Sequence, residues 1–147
     1  MKLENQLNWY DVRQLRQWWK GELVIKGILS VEDARKSREI GTDGIVVSAH
    51  GGRNIDCAPT PAKVLPGIVD AVGQKIEILA DSGVMRGSDV LKYVSLGAKS
   101  VMLGRLPLWG LASAGEPRAD AVLEMMRTEI DITLAMLGAQ TPRELQS

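Results

Sequence analysis

The chain has 147 residues, of which 45% are hydrophobic and 24% charged, as in an ordinary single globular domain. Its 18 basic and 18 acidic residues cancel, so charge gives no reason to expect a nucleic acid as a partner. No apolar run reaches the roughly 18 residues that span a bilayer, and the N-terminus lacks a signal-peptide core, so we expect a cytoplasmic protein. The single cysteine, Cys57, excludes a disulfide framework and a CxxC metal site.

Short apolar runs alternate with longer helical patterns along the chain. A helix is predicted from Asn8 to Trp19, followed by parallel strands over 23–26, 43–47, 76–80 and 99–103. Further helices are predicted from Ser30 to Gly41, from Pro61 to Gly73, from Ser88 to Gly97 and from Ala119 to Leu137, with a capped turn at 141–144. This order predicts an α/β fold. A (β/α)8 barrel needs about 250 residues, so the pattern leaves an open sheet, a half-barrel and a truncated barrel as alternatives.

Polar residues and glycines cluster where each predicted strand ends. They are Lys26 at the first strand, Ser48 and His50 at the second, Asp81-Ser82-Gly83 at the third and Gly104-Arg105 at the fourth. The carboxyl ends of parallel strands carry the binding site in α/β folds. We therefore expect these residues to form one site.

The loop from Ser48 to Arg53 predicts an active site for an anionic substrate. His50 is the only histidine and is a natural general base near neutral pH. The following glycines allow a sharp turn, and Arg53 can clamp a carboxylate with two hydrogen bonds. The structural alternatives are a surface histidine and a salt bridge between Arg53 and Asp56.

The glycine-rich turns after the third and fourth strands predict a phosphate site. Residues 81–83, 87–89 and 104–105 offer backbone N–H groups, helix N-termini and the Arg105 cation. Lys26 could stabilise an anionic cofactor ring. Alternatively, Lys26 is a surface lysine whose alkyl chain lies along the protein while its ammonium group reaches solvent.

Taken together, these motifs resemble the FMN-dependent 2-hydroxy acid dehydrogenase/oxidase family. The resemblance rests on the runs 24–28, 43–48, His50-Gly51-Gly52-Arg53, 81–83, 86–90 and 104–105. It extends from about residue 7 to 145 and matches the C-terminal half of that family's (β/α)8 barrel, strands five to eight. We therefore expect one partial domain over residues 1–147.

The resemblance implies a role for each site residue. His50 takes the proton of the substrate hydroxyl, Arg53 holds the substrate carboxylate, and the flavin accepts the hydride. FMN is bound through the residues listed here: Lys26, Ser48, Asp81, Ser82, Gly83, Met85, Gly104 and Arg105. Two positions depart from the family pattern near the histidine, namely Ala49 and Asn54, and Met85 stands where many members have arginine.

The resemblance also implies the partners. The substrate is a small L-2-hydroxy acid resembling lactate or mandelate, and the electron acceptor is a quinone, a cytochrome or oxygen. Besides the expected cytoplasmic location, the resemblance implies peripheral attachment to the inner face of the membrane as an alternative. The strands that supply the acidic partner of the histidine lie outside the matched half, so we expect a homo-oligomer or an N-terminal half to complete the site. The alternative is a non-catalytic half-barrel that binds phosphate or FMN.

Overall fold

Four parallel strands form one sheet in the computed structural model, which describes residues 6–146. The strands are β1 (Val24–Ile28), β2 (Gly44–Val47), β3 (Glu77–Ala80) and β4 (Ser100–Val101), and they lie in sequence order. All three neighbouring pairs are parallel, which confirms the predicted α/β class and the strand positions. In the described part of the chain, β1 and β4 are the two edges.

Six helices connect and flank the strands within residues 6–146. They are α1 (Trp9–Trp18), α2 (Val31–Ile40), α3 (Pro61–Val72), α4 (Gly87–Ser95), α5 (Arg105–Ala114) and α6 (Glu116–Leu137), with short 3-10 turns at His50–Gly52 and Pro142–Leu145. The predicted caps are confirmed at α2. The Ser30 side chain accepts a hydrogen bond from the Asp33 amide, and Gly41 ends the helix in a left-handed conformation.

The sequence analysis missed helix α5 and began α6 three residues late, at Ala119. Pro107 and Gly110 make α5 difficult to predict, because proline and glycine are both unfavourable in the interior of a helix. Pro107 lies in the first turn, where its missing N–H has no helical partner to lose. A β-carbon at Gly110 would lie 2.7 Å from the Arg118 carbonyl oxygen, so glycine is needed for the close packing of α5 against α6.

Strand β1 continues two residues beyond the predicted end at Lys26. The register shifts between Lys26 and Ile28, and Gly27 between them has a φ of +101°. This bulge accommodates the extra residue. Lys26 therefore lies within the strand, and β1 still pairs with β2 as far as Ile28.

The core lies between the sheet and its helices. Strand β2 is buried along its whole length, and Ile45 and Val47 pack with Leu65 and Ile68 of α3 in one apolar cluster. Burial on this scale supplies the main favourable free energy of folding. Among the described residues, no helix is both long and apolar enough to cross a bilayer.

Candidate active site

A pocket of about 340 Å³ opens at the carboxyl ends of the four strands. It is lined by Lys26, His50, Gly51, Arg53, Asp81, Ser82, Gly83, Val84, Met85, Met102, Leu103, Gly104, Arg105 and Leu108. Every residue to which the family resemblance gave a role, except Ser48, is in this lining. Ser48 is fully buried, and its hydroxyl group contacts the lining residues Lys26, His50 and Asp81.

Lys26 and Asp81, which both line the pocket, form an ion pair. The Lys26 Nζ lies 2.6 Å from Asp81 Oδ2 and also donates to Ser48 Oγ at 2.7 Å. An ammonium group has three donors, so one remains for a ligand. Lys26 is therefore held in a fixed position and is not a free surface lysine.

The Asp81 carboxyl group stays ionised near neutral pH. Burial acts to raise its pKa, but hydrogen bonds with Lys26, Ser48 and Ser82 outweigh burial, so the net pKa lies below the ordinary 3.8. A charged carboxylate is thus available to hold the Lys26 ammonium at the pH where the protein functions.

The loop that carries His50 has an unusual backbone. His50 has a φ of +52°, and Gly51 and Gly52 follow at +68° and +73°. A left-handed conformation costs a non-glycine residue about 1–2 kcal/mol. The loop compensates through side-chain acceptors, because Ser48 Oγ accepts from the His50 amide at 3.0 Å and Ser82 Oγ accepts from the Gly51 amide at 3.0 Å.

The imidazole of His50 lies directly over the backbone of Gly27. A β-carbon at residue 27 would lie 2.9 Å from His50 Nε2, closer than such contacts normally come. The bulge in β1 therefore supplies space for the ring. The sequence analysis did not identify Gly27 as a site residue, although the glycine inside a strand pattern was an available signal.

Arg53 is exposed at the edge of the pocket. Its Nε donates to the His50 carbonyl oxygen at 3.3 Å, which leaves the outer guanidinium nitrogens without a hydrogen bond in the described part of the chain. The alternative salt bridge with Asp56 does not form. The position suits an arginine that binds an anionic group entering from solvent.

The N-terminus of α5 faces the same pocket. Gly104 precedes the helix and makes no side-chain cap, so N–H groups of the first turn are available to an anion. Arg105 begins the helix and donates to the Gly51 carbonyl oxygen at 3.1 Å. This contact joins the start of α5 to the His50 loop.

One part of the predicted phosphate site lies elsewhere. Residues 87–89 are absent from the pocket lining, and carboxylates already occupy the amides at the start of α4. Asp89 accepts from the Arg86 amide at 3.1 Å, and Glu129 of α6 accepts from the Gly87 amide at 2.7 Å. The guanidinium of Arg86 pairs with Glu129 as well, so it points toward α6.

Tyr93 is a further residue of the site that sequence reasoning missed. It is buried in α4, and its hydroxyl donates to the Ser82 carbonyl oxygen at 2.8 Å. Burial raises its pKa, and the negative charges of Asp81 and Asp89 raise it further, so the phenol remains a donor at neutral pH. In the sequence it has only the helical spacing of a core residue.

Comparisons with known proteins agree with this geometry. The family model for FMN-dependent dehydrogenase matches residues 1–147. The L-lactate dehydrogenase of Chromohalobacter salexigens is 44% identical over 141 residues, which cover 96% of this chain and 36% of that protein. The pre-mycofactocin synthase of Mycolicibacterium smegmatis is 44% identical over 137 residues, which cover 93% of this chain and 34% of that protein.

The solved structures show the same fold. A soluble mutant of the membrane-associated (S)-mandelate dehydrogenase from Pseudomonas putida superposes with a TM-score of 0.93 and 43% identity, covering 99% of this chain and 41% of that one. The chain thus spans less than half the length of the relatives it matches. Its strands correspond to part of a (β/α)8 barrel, as the resemblance implied. The family match over the full chain and the shared fold show that this chain belongs to the FMN-dependent dehydrogenase family.

Proposed function

We propose that this chain forms the histidine-bearing side of a site that oxidises a small L-2-hydroxy acid to the 2-oxo acid with FMN. One observation carries the proposal. A single pocket brings together His50, Arg53, the Lys26 ammonium and the N-terminus of α5. A base, a carboxylate clamp and two anion-stabilising groups are the set that this reaction requires of the protein.

His50 and Arg53 act on the substrate. Arg53 binds the carboxylate through its outer nitrogens and so orients the hydroxyl group toward His50. The His50 imidazole accepts the hydroxyl proton. The bond from Arg53 Nε to the His50 carbonyl oxygen keeps the clamp and the base at a fixed separation.

The remaining residues fit the cofactor. The phosphate of FMN suits the uncapped N-terminus of α5 together with Gly104 and Arg105, and Met85 contributes apolar surface. Lys26 would offer its remaining donor to the flavin ring, where a cation would stabilise negative charge. Bound FMN supplies the two-electron acceptor. Gly83, at a φ of +75°, allows the backbone after β3 to approach this group closely.

One feature favours a second candidate function. No carboxylate contacts the imidazole of His50 within residues 6–146, so no acid here orients the ring. The second candidate is a half-barrel that binds phosphate or FMN without turnover. In the catalytic proposal, further strands from another copy or from an N-terminal half supply that acid.

The substrate and the surroundings of the protein also belong to the proposal. L-lactate dehydrogenases and a pre-mycofactocin synthase are equally identical to this chain, so identity alone does not select the substrate. We infer a lactate-like or mandelate-like acid, with a quinone, a cytochrome or oxygen as acceptor. Because one structural relative is named as membrane-associated, we also propose peripheral attachment to the inner face of the membrane for an otherwise cytoplasmic protein.

Flavin titration and turnover of the purified chain test the proposal. For the chain alone we expect weak FMN binding, seen as flavin fluorescence quenching, and slow dye reduction that depends on L-lactate or (S)-mandelate; both should increase when a second chain completes the site. His50→Asn is the informative variant, because asparagine tolerates a positive φ better than alanine. It should lower turnover by about 100-fold or more and leave FMN affinity within twofold.

The outcomes separate the two candidates. FMN binding without turnover, under conditions where a longer relative turns over, supports the binding half-barrel. Absence of FMN binding contradicts the catalytic function, and absence of both FMN and inorganic phosphate binding contradicts both functions. Equal activity of wild type and His50→Asn would remove the role assigned to His50.

A further inference from the structure

We propose that Ser82 is a positioning residue that fixes the conformation of the His50 loop, and that its hydroxyl group is not a cofactor ligand. The proposal deepens the function proposed above and rests on the role of His50 in it. It concerns the loop itself, so it can be tested whether or not the chain turns over substrate.

The amides on both sides of His50 converge on one oxygen atom. Ser82 Oγ accepts from the Ala49 amide at 3.1 Å and from the Gly51 amide at 3.0 Å. The His50 amide between them donates to Ser48 Oγ. Three successive amides are thus held by hydroxyl groups from the ends of two neighbouring strands.

The hydroxyl of Ser82 has no capacity left for a ligand. A hydroxyl group has one donor and two acceptor sites. Two amides fill both acceptor sites, and the proton is donated to Asp81 Oδ1 at 2.8 Å. A flavin or phosphate oxygen could bind this group only by displacing one of these three bonds.

The backbone of Ser82 is held in a conformation that disfavours serine. Its φ is +79°, a region where glycine is the favoured residue. Tyr93 Oη donates to its carbonyl oxygen, and Tyr93 is buried. A strained residue persists where its surroundings determine its position, and here the hydroxyl contacts supply the reason for serine.

Asp81 couples this arrangement to the cation of the pocket. Its Oδ1 accepts from Ser82 and its Oδ2 pairs with Lys26. The His50 loop and the Lys26 ammonium group are therefore both connected to the Asp81 carboxylate. Removal of the Ser82 hydroxyl should release the His50 loop, while Lys26 keeps its bonds with Asp81 and Ser48.

The test uses Ser82→Gly in the full chain, because glycine removes the hydroxyl and relieves the strain of the positive φ. We expect amide hydrogen exchange at Ala49 and Gly51 to become at least tenfold faster. Exchange at Asp81 and Met102, whose amides bond to neighbouring strands, should stay unchanged. His50 is the only histidine, so the proton on its Cε1 gives one assignable NMR signal, which we expect to shift.

Two further variants complete the test. Tyr93→Phe removes the bond to the Ser82 carbonyl and should accelerate exchange at the same two amides by a smaller factor, which keeps the proposal testable if Ser82→Gly does not fold. Tyr10→Phe, on exposed α1, and Ser95→Ala, on the outer surface of α4, are matched controls with no expected effect on the loop.

The results distinguish this proposal from the catalytic one. Unchanged exchange at Ala49 and Gly51 in Ser82→Gly overturns the positioning role. A loss of FMN affinity without faster exchange overturns it in favour of a cofactor ligand. Faster exchange in a chain that shows no turnover supports the positioning role and contradicts only the proposed catalysis.

Discussion

The two ends of the sheet each carry a cation paired with a carboxylate, but they are used differently. At the amino end, Arg16 of α1 pairs with Asp43 at 3.0 Å, and Asp43 also accepts from the Leu23 amide at 2.7 Å. At the carboxyl end, Lys26 pairs with Asp81 at 2.6 Å. Only the second pair lines the pocket.

The difference lies in what the remaining donors do. Arg16 also donates to the carbonyl oxygens of Trp19, Gly21 and Gly41, so its guanidinium holds α1 against the sheet. Lys26 keeps one donor that faces the pocket, beside a histidine in a left-handed conformation. An ion pair at a strand end is therefore insufficient to indicate a site; unused donors and a strained loop beside it are the better indicators.

Gly27→Ala should give the largest effect on the site. The new β-carbon would lie 2.9 Å from His50 Nε2 and displace the ring, so we expect turnover to fall by about 100-fold. The measurement is dye reduction, with the His50 ring signal as an independent readout. Gly41→Ala at the amino end is the matched control, because Gly41 also has a positive φ but its β-carbon meets nothing within 4 Å. Equal turnover in the two variants would contradict the contact with His50.

Lys26→Met and Arg16→Met should separate cofactor binding from stability. Lys26→Met removes the free ammonium donor, so we expect FMN affinity to fall by about tenfold, measured by flavin fluorescence. Arg16→Met removes several bonds that hold α1, so we expect the melting temperature to fall by about 5 °C or more with FMN affinity unchanged. A loss of FMN affinity in Arg16→Met would break the proposed division between the two ends.

Asp81→Asn should change how the free energy of unfolding depends on pH in the acidic range. The folded-state pKa of Asp81 lies below 3.8, so the ionised group stabilises the fold above that pH, and this contribution is lost as pH falls through the folded pKa. Without this group, the slope of the unfolding free energy against pH should decrease by at most about 1.4 kcal/mol per pH unit. Urea unfolding between pH 6 and pH 2.5 measures the slope. Asp131→Asn on α6 is the control, and an identical slope in both variants would contradict the prediction.

Met85→Arg should give the smallest effect, and it should be favourable. Met85 lines the pocket and is 38% exposed, so an arginine there adds a cation near the proposed phosphate position. We expect FMN affinity to rise by about two- to fivefold at low salt, because partly exposed charge pairs contribute little. Measurement of FMN affinity at increasing salt concentration tests whether the gain in affinity is electrostatic. An equal gain from Met85→Leu would show that the charge is not responsible.

The fold was predictable because its strands are marked by their composition. The apolar run that ends at Val47 and the helix caps at Ser30 and Gly41 indicate their elements locally. Helix α5 was not predictable in this way, because Pro107 and Gly110 are acceptable only through their places in the first turn and against α6. Information about a tertiary neighbour was needed.

Several residues that line the pocket were predictable from the sequence, but the hydrogen bonds between them were not. Strand ends and residue chemistry indicate His50, Arg53 and Lys26. The hydrogen bonds of Ser82 to the His50 loop connect residues more than thirty positions apart, and no local pattern contains them. The placement of His50 over Gly27 depends on a bulge, which the apolar pattern of β1 does not reveal.

The two edges of the sheet have a consequence for handling the protein. Edge strands offer unpaired backbone groups that recruit strands from other molecules. In the described part of the chain, β4 has two residues, while β1 has five and begins with Val24, which is 47% exposed. Where no further strand pairs with these edges, self-association in concentrated solution should begin at β1, and a charged residue in place of Val24 should improve solubility more than any change at β4.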